Sequence, residues 1–424
     1  MNSLQRIQPK VFPIEKVNIP EALSVTLNNG IPVHIIESGT EEIMRIEFIF
    51  RAGQVSEYLP LLASATNMML TEGSQNYTSE ELNRLLDFYG AFINLSTEKD
   101  HAGFVIFFLN KHIEKILELS REILFRPVFP EEELNSLMKK RLSWFNINRE
   151  KVGNLAIDQF FESLFGKHHP YGYQVEEKDF GGITPAVLED FHMKYYTPGN
   201  MTIIVSGKIH VLTTELLNKY FGDITSKNLY IEDSANILKG EKRKKVHLSK
   251  SGSLQSAIRI GSATINKRHP DYTGLKFLDT ILGGYFGSRL MKNIREEKGY
   301  TYGIGSSVAS LYLSGYKVIS TEVGRKYRKK TIDEIYKEIY LLQTIPVEKN
   351  EMEVVRNYMS GEMVRMFDGP FALAESFKSV WELGLGNEYY YRLAEKIRTI
   401  EPDEIIRLAK TYYNIDELYE ITVG

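Results

Sequence analysis

The chain of 424 residues contains no cysteine. That absence excludes disulfides, thiolate zinc sites and a cysteine nucleophile, and it is compatible with a reducing compartment. Also missing is any apolar run of the roughly 18 residues that a membrane-crossing helix needs. The first thirty residues, MNSLQRIQPKVFPIEKVNIPEALSVTLNNG, carry prolines and charges but no apolar core segment. A secretory signal is therefore not expected, and a cytoplasmic location is. Charge of one sign is lacking too: 52 basic and 55 acidic side chains leave a net charge of −3. No strong field draws in nucleic acid or an anionic membrane, so partners must be found by shape and local chemistry.

What is present is an ordinary globular composition, 43% hydrophobic and 25% charged, in a chain long enough for two domains. The chain repeats itself. ITPAVLEDFHMKYYTPGNMTIIVSG, ending at Gly207, lies without a gap on IEPDEIIRLAKTYYNIDELYEITVG, ending at Gly424. Pro185 meets Pro402, and Tyr195 and Tyr196 meet Tyr412 and Tyr413. Earlier, YLPLLASATNMMLTEGS from Tyr58 overlays YTGLKFLDTILGGYFGS from Tyr272. A period this long exceeds the 20–50 residues or so of solenoid repeats and signals a duplicated domain.

The polar stretch before His247 lacks apolar periodicity and reads as a linker, with EKRKK a solvated face. The expected division is residues 1–225, a linker over 226–245, and residues 246–424. In the first half an Asn-Gly pair between VTLNN and GIPVHIIES predicts a hairpin, followed by the alternating MRIEFIFRAG. Helices are expected at 58–70 and 78–89, strands in INLSTEK and HAGFVIFFL, then helices at 111–125 and 130–165. The second half predicts a strand in SAIRIGSAT, helices at 270–283 and 287–298, strands at 300–309 and 313–322, and helices over 326–411. The fold class is α+β: two homologous domains, each a mainly antiparallel sheet covered by helices.

This order of elements, with NNGIPVHIIES, RAGQVSE and HHPYGYQVEEKDFGGITPAVLEDFHMKYYTPGNMTIIVSGKI, resembles the pitrilysin/insulinase family, whose signature is the inverted zinc box H-x-x-E-H. The resemblance spans nearly the whole chain and implies a clamshell architecture. Where it places the zinc box, this sequence reads LLASATNMMLTEGS. The two histidine positions hold Ala63 and Asn67, and the glutamate position holds Thr66. Zinc needs two imidazoles one helical turn apart and a carboxylate to take the proton of bound water; Ala63 and Thr66 supply neither. The third ligand, a glutamate in the family, falls near Ser143 or Trp144, where no acid stands. The nine histidines contain no pair at i, i+3 or i, i+4 on one helix. His168 and His169, before Pro170, read as loop-capping or packing residues. No catalytic metal is expected in this chain.

In the second half, LGGYFGSRLMKNIREEKGYTYGIGSS contains Arg295 and Tyr302, which match an arginine and a tyrosine that the family keeps in the domain facing the zinc. In heterodimeric members the zinc box and this pair sit on different chains. The resemblance implies that Arg295, near a helix end terminated by Gly299, and Tyr302, on the next strand, hold substrate or stabilise an oxyanion. Taken alone, each residue reads more readily as structural, the arginine as a surface ion-pair partner and the tyrosine as a packed ring; the pair at the family's spacing favours the functional reading. Gly283, Gly284 and Gly287 read as close-approach positions; the resemblance adds contact with substrate. No phosphate-loop spacing occurs.

The resemblance thus implies the non-zinc subunit of a heterodimeric zinc metalloendopeptidase acting on unfolded peptides, with zinc carried by a sister subunit. An isolated chain forming a homodimer stays open. The alternatives are an inactive structural subunit resembling the core proteins of the respiratory bc-type complex, and a peptide-binding module without cleavage. A self-sufficient homodimeric peptidase is disfavoured by Ala63, Thr66 and Asn67.

Overall fold

A computed structural model of the chain describes residues 18–225, 240 and 243–424. Most of the expected linker, residues 226–239, 241 and 242, lies outside the described residues. The expected hairpin is present as β1 (Leu23–Thr26) and β2 (Pro32–Glu37), paired antiparallel around Gly30. β3 (Ile43–Phe50) follows, then α1 (Leu62–Met69), α2 (Ser79–Phe88), β4 (Phe92–Thr97) and β5 (Ala102–Leu109). Thr78 closes a capping box with Glu81, which fixes where α2 starts. Next come α3 (Ile113–Phe125), α4 (Glu131–Arg149), α5 (Val152–Phe165), α6 (Pro185–Tyr195), β6 (Met201–Gly207) and α7 (Thr213–Phe221). The single helix expected over 130–165 is two helices that meet at Glu150 and Lys151.

The second half contains β7 (Lys245–Leu248), β8 (Gln255–Thr264) and α8 (Tyr272–Asp279), which runs on into a wider helical turn at Thr280–Gly284. A second helical segment, Met291–Glu297, precedes β9 (Ile304–Ser310) and β10 (Gly315–Gly324). Then follow α9 (Arg328–Thr344), α10 (Lys349–Arg365), α11 (Pro370–Trp381), α12 (Glu388–Thr399), α13 (Pro402–Tyr412) and β11 (Tyr419–Val423).

The strands form two sheets with matching topology. The first runs β1-β2-β6-β3-β5-β4 and the second β7-β11-β8-β10-β9. β2 and β6 are parallel, as are β7 and β11, and the remaining neighbours are antiparallel. The duplication extends to backbone detail. Gly207 and Gly424 both adopt positive φ, 121° and 125°. A Cβ at either would lie 2.3 Å from a neighbouring strand's carbonyl oxygen, Ile43 or Gln255. Only glycine fits either position.

Each sheet packs its own half's helices on one face and a helix from the other half on the opposite face. α5 lies on β8 and β11 of the second sheet, and α11 lies on β2 and β6 of the first. Phe160, Leu164 and Phe165 of α5 share a core cluster with Val318, Tyr419 and Ile421. In return, His34 of β2 packs on Phe377 and Trp381 at centroid distances of 5.0 and 5.4 Å. The exchange brings charge indoors. Arg45 and Glu47 on β3 are 2% and 1% exposed. Glu47 accepts bonds from Arg45 at 2.6 Å and from Lys378 of α11 at 2.7 Å.

Candidate functional site

The three residues expected at the zinc-box positions are buried. Ala63, Thr66 and Asn67 on α1 are at most 1% exposed. Thr66 Oγ1 donates to the Leu62 carbonyl one turn back at 2.8 Å. The Asn67 amide donates to the carbonyls of Ser96 and Gly103 at 2.7 and 3.3 Å, tying α1 to β4 and β5. Its Oδ1 accepts from the Tyr196 hydroxyl at 3.2 Å. In the duplicate half Tyr413, the counterpart of Tyr196, donates likewise to Asp279 at 3.2 Å. Asn67 therefore spends its polar atoms on the fold. Ser143 and Trp144 face outward on α4, Trp144 with 64% exposure. The α4 residue that reaches α1 is Arg141, whose Nη2 donates to Ser64 Oγ at 2.8 Å. Among the described residues no cluster of three or more His, Cys, Asp or Glu could hold a metal ion. His169 is buried and its Nδ1 accepts the Tyr171 amide at 3.0 Å.

Arg295 stands in the helical segment Met291–Glu297, which Gly299 ends in the left-handed region at φ 62°. Its Nε donates to the Tyr302 carbonyl at 3.0 Å, and its guanidinium lies 4.7 Å from the centre of the Phe286 ring. No carboxylate pairs with it among the described residues, so the surface ion-pair role weighed for it does not apply. Tyr302 lies two residues before β9 rather than on the strand, and its side chain is 95% exposed. The structure thus brings Arg295 to the backbone of Tyr302 and leaves the phenol in solvent.

The three glycines differ. Gly283 is buried, and a Cβ there would meet the Ser306 amide at 2.6 Å, so it permits close packing of the helix on β9. Gly284 is exposed and lines a cavity of about 540 Å³ whose walls include Met359, Met363, Met366, Tyr358 and Tyr389. Gly287 faces the ring of Tyr285. Burial lowers Lys267, also in that wall, to about 8. Sequence reasoning did not foresee this cavity, because it is assembled from α8, α10, α11 and α12, which are far apart in the chain.

A duplicated α+β scaffold whose α1 buries Ala63, Thr66 and Asn67, and whose second half displays an arginine beside an exposed tyrosine, falls in the class of metallopeptidase-like folds. The chain is a member of the insulinase family: residues 48–175 match the model "Insulinase (Peptidase family M16)" and residues 182–359 match "Peptidase M16 inactive domain". It is 22% identical over 298 residues to an uncharacterised zinc protease of Bacillus subtilis, YmxG, covering 70% of this chain and 72% of that one. It is 28% identical over 222 residues to the mitochondrial-processing peptidase subunit alpha-1 of Dictyostelium discoideum, covering 49% of this chain and 33% of that one. A solved protease from Helicobacter pylori superposes with a TM-score of 0.86 over 96% of this chain and 100% of that one, at 18% identity. A peptidase M16 inactive domain structure from Pseudomonas fluorescens gives a TM-score of 0.82 over 95% of this chain and 98% of that one, at 21% identity. No helix among the described residues is long and apolar enough to cross a membrane.

Proposed function

We propose that this chain is the non-zinc subunit of a heterodimeric zinc metalloendopeptidase that degrades unfolded peptides. The observation that carries the reading is the fully presented Tyr302 beside a guanidinium held by Phe286 and the Tyr302 carbonyl. A tyrosine 95% exposed contributes almost nothing to packing. A solvent-facing phenol, and an arginine bonded to the backbone of the same residue, are donors suited to a peptide carbonyl or the oxyanion formed from it. Zinc and its activated water belong to a sister subunit with an H-x-x-E-H box, for which Ala63, Thr66 and Asn67 offer no substitute.

Two further features support peptide as the substrate. β4 and β9 are the terminal strands of their sheets, and each lies beside the helix of interest in its half, α1 or the Thr280–Gly284 turn. An extended peptide adds to such an edge through main-chain bonds. The methionine- and tyrosine-walled cavity beside Gly284 offers an adaptable apolar surface for side chains of varied shape.

The test is hydrolysis of a quenched peptide by this chain, by a zinc-bearing sister, and by the two mixed. Activity is expected only in the mixture, with Arg295→Ala and Tyr302→Phe each lowering the rate about 10²–10³-fold. A mixture that cleaves equally well with either substitution removes the assigned role. A silent mixture leaves the structural-subunit alternative.

A further inference from the structure

A second cavity, of about 570 Å³, opens beside the start of α1 and is bounded by α4, α5 and the loop around Gln174. Its walls set Leu59, Pro60 and Phe145 among polar and charged side chains that include Glu57, Asp158 and His168. Two hydrogen-bond donors on that lining, Arg141 Nη1 and Gln174 Nε2, are buried and find no partner among the described residues. Lys99, also on the wall, has one long bond, to the Tyr171 carbonyl at 3.4 Å. A buried donor left unpaired is costly. Glu57 on the same wall offsets the charges of Arg141 and Lys99, yet Arg141 Nη1 and Gln174 Nε2, from two segments of the chain, still lack an acceptor.

The backbone at the rim is held out of its ordinary range. Leu61 has φ 72°, the one non-glycine residue with positive φ among the described residues. Strain of this kind persists where surrounding structure imposes it. Next to it the Glu57 carboxylate accepts the Ala63 amide at 2.9 Å and so satisfies a donor of the first turn of α1. The end of α1 is already capped, and the free donors are side chains that belong to the cavity.

We infer that this cavity binds the free carboxylate of an apolar or aromatic C-terminal residue, with Arg141 and Gln174 as its donors and Leu59, Pro60 and Phe145 around its side chain. A carboxylate accepts the planar guanidinium in a charge-assisted bond and takes the amide proton with its second lone-pair direction. Arg141 is pre-oriented for this, since its other amino group is fixed on Ser64. Of the acids on the wall, burial raises Glu57 to about 7, so that it is only partly charged near neutrality, and burial pushes Asp158 up from its ordinary value. Arg141 thus supplies positive charge beside a box that has lost its metal ligands, and uses it for anchoring in place of hydrolysis.

This inference rests on the proposal that peptides are the substrate, but it is tested without any cleavage and without a sister subunit. The probes are N-acetyl-phenylalanine and N-acetyl-phenylalaninamide, titrated calorimetrically into the full chain. The acid is expected to bind at least about tenfold more tightly than the amide. Arg141→Met is expected to abolish the preference, and Arg141→Lys to keep part of it by charge alone. Circular dichroism melts establish that each variant is folded, and Gln174→Leu provides a second variant with a milder expected loss. Equal binding of acid and amide, binding of neither, or a preference that survives Arg141→Met overturns the assignment. Failure of peptide hydrolysis in the mixed-subunit assay leaves this binding result untouched, so the two proposals fail separately.

Discussion

Glu47 shows how far a single residue can depart from what its neighbours in sequence suggest. In MRIEFIF the alternation of apolar and charged residues places Arg45 and Glu47 on the face away from the first half's core, where water is the ordinary expectation. Instead α11 covers that face, and Glu47 becomes the shared acceptor of Arg45 and Lys378. Burial would depress the Lys378 ammonium, yet the charge and hydrogen bond of Glu47 raise it above the usual lysine range. Replacing Glu47 by Gln leaves the buried Lys378 without its bonded counter-charge and Arg45 with Glu375 alone, and the expected loss is about 3–5 kcal/mol by urea denaturation. Pairing Glu47→Gln with Lys378→Met is expected to recover part of it. A loss under about 1 kcal/mol, the range of exposed ion pairs, means that water still reaches the cluster.

His192 on α6 gives a pH signature of its own. Burial lowers it to about 4, while its Nε2 donates to the Leu124 carbonyl at 2.8 Å. The unfolded chain protonates this histidine below about 6.5 and the folded chain only below about 4, so its contribution to stability falls as pH drops through that window. Glu57 and Glu382, raised to about 7 mainly by burial, act in the opposite direction between about 4.5 and 7. The histidine is isolated by comparison with His192→Asn, which cannot titrate. The stability advantage of the native chain over His192→Asn is expected to shrink from pH 6.5 to 4. A difference that stays constant across that range sinks the assignment.

At the scale of elements, local pattern carried most of the fold. The Asn-Gly hairpin, the strands with period two and the helix between Ile113 and Phe125 were legible because each depends on contacts within a few residues. The break between α4 and α5 was not legible, since Glu150 and Lys151 are good helix formers and no proline or glycine precedes them. Its cause is tertiary: α5 must leave the direction of α4 to reach the other sheet. Arg141 went unnoticed for a related reason. It stands one turn or less before Ser143 and Trp144 in the sequence, but only the observed rotation of α4 turns it, and not them, toward α1. The exchange of α5 makes a test at this scale. Phe160, fully buried, belongs to the first half yet packs with Val318, Tyr419 and Ile421 of the second. Phe160→Ala is expected to cost about 3–5 kcal/mol and to speed amide exchange in β8, β10 and β11. Unchanged exchange in those strands contradicts the packing described.

For the whole molecule, the reciprocal exchange decides how the two repeats relate in energy. A duplicated chain with a linker suggests two units that fold alone. The packing argues otherwise, because neither sheet is covered on both faces by its own half: Ile36, Ile49 and Ile204 from the first sheet lie in one cluster with Leu373, Ala374 and Val380 of α11. Separating the halves strips each sheet of one helix and leaves each exchanged helix with an apolar face in water. It also exposes Arg45 and Glu47 without Lys378. The intact chain is therefore expected to melt in one cooperative step, and polypeptides 18–225 and 243–424 made separately are expected to bind a hydrophobic dye and lack near-ultraviolet circular dichroism. Mixing them is expected to restore both signals toward those of the intact chain, since the surfaces are complementary. If each half alone melts cooperatively with full near-ultraviolet signal, the exchanged helices are ornaments on two independent domains, and the interlocked account fails.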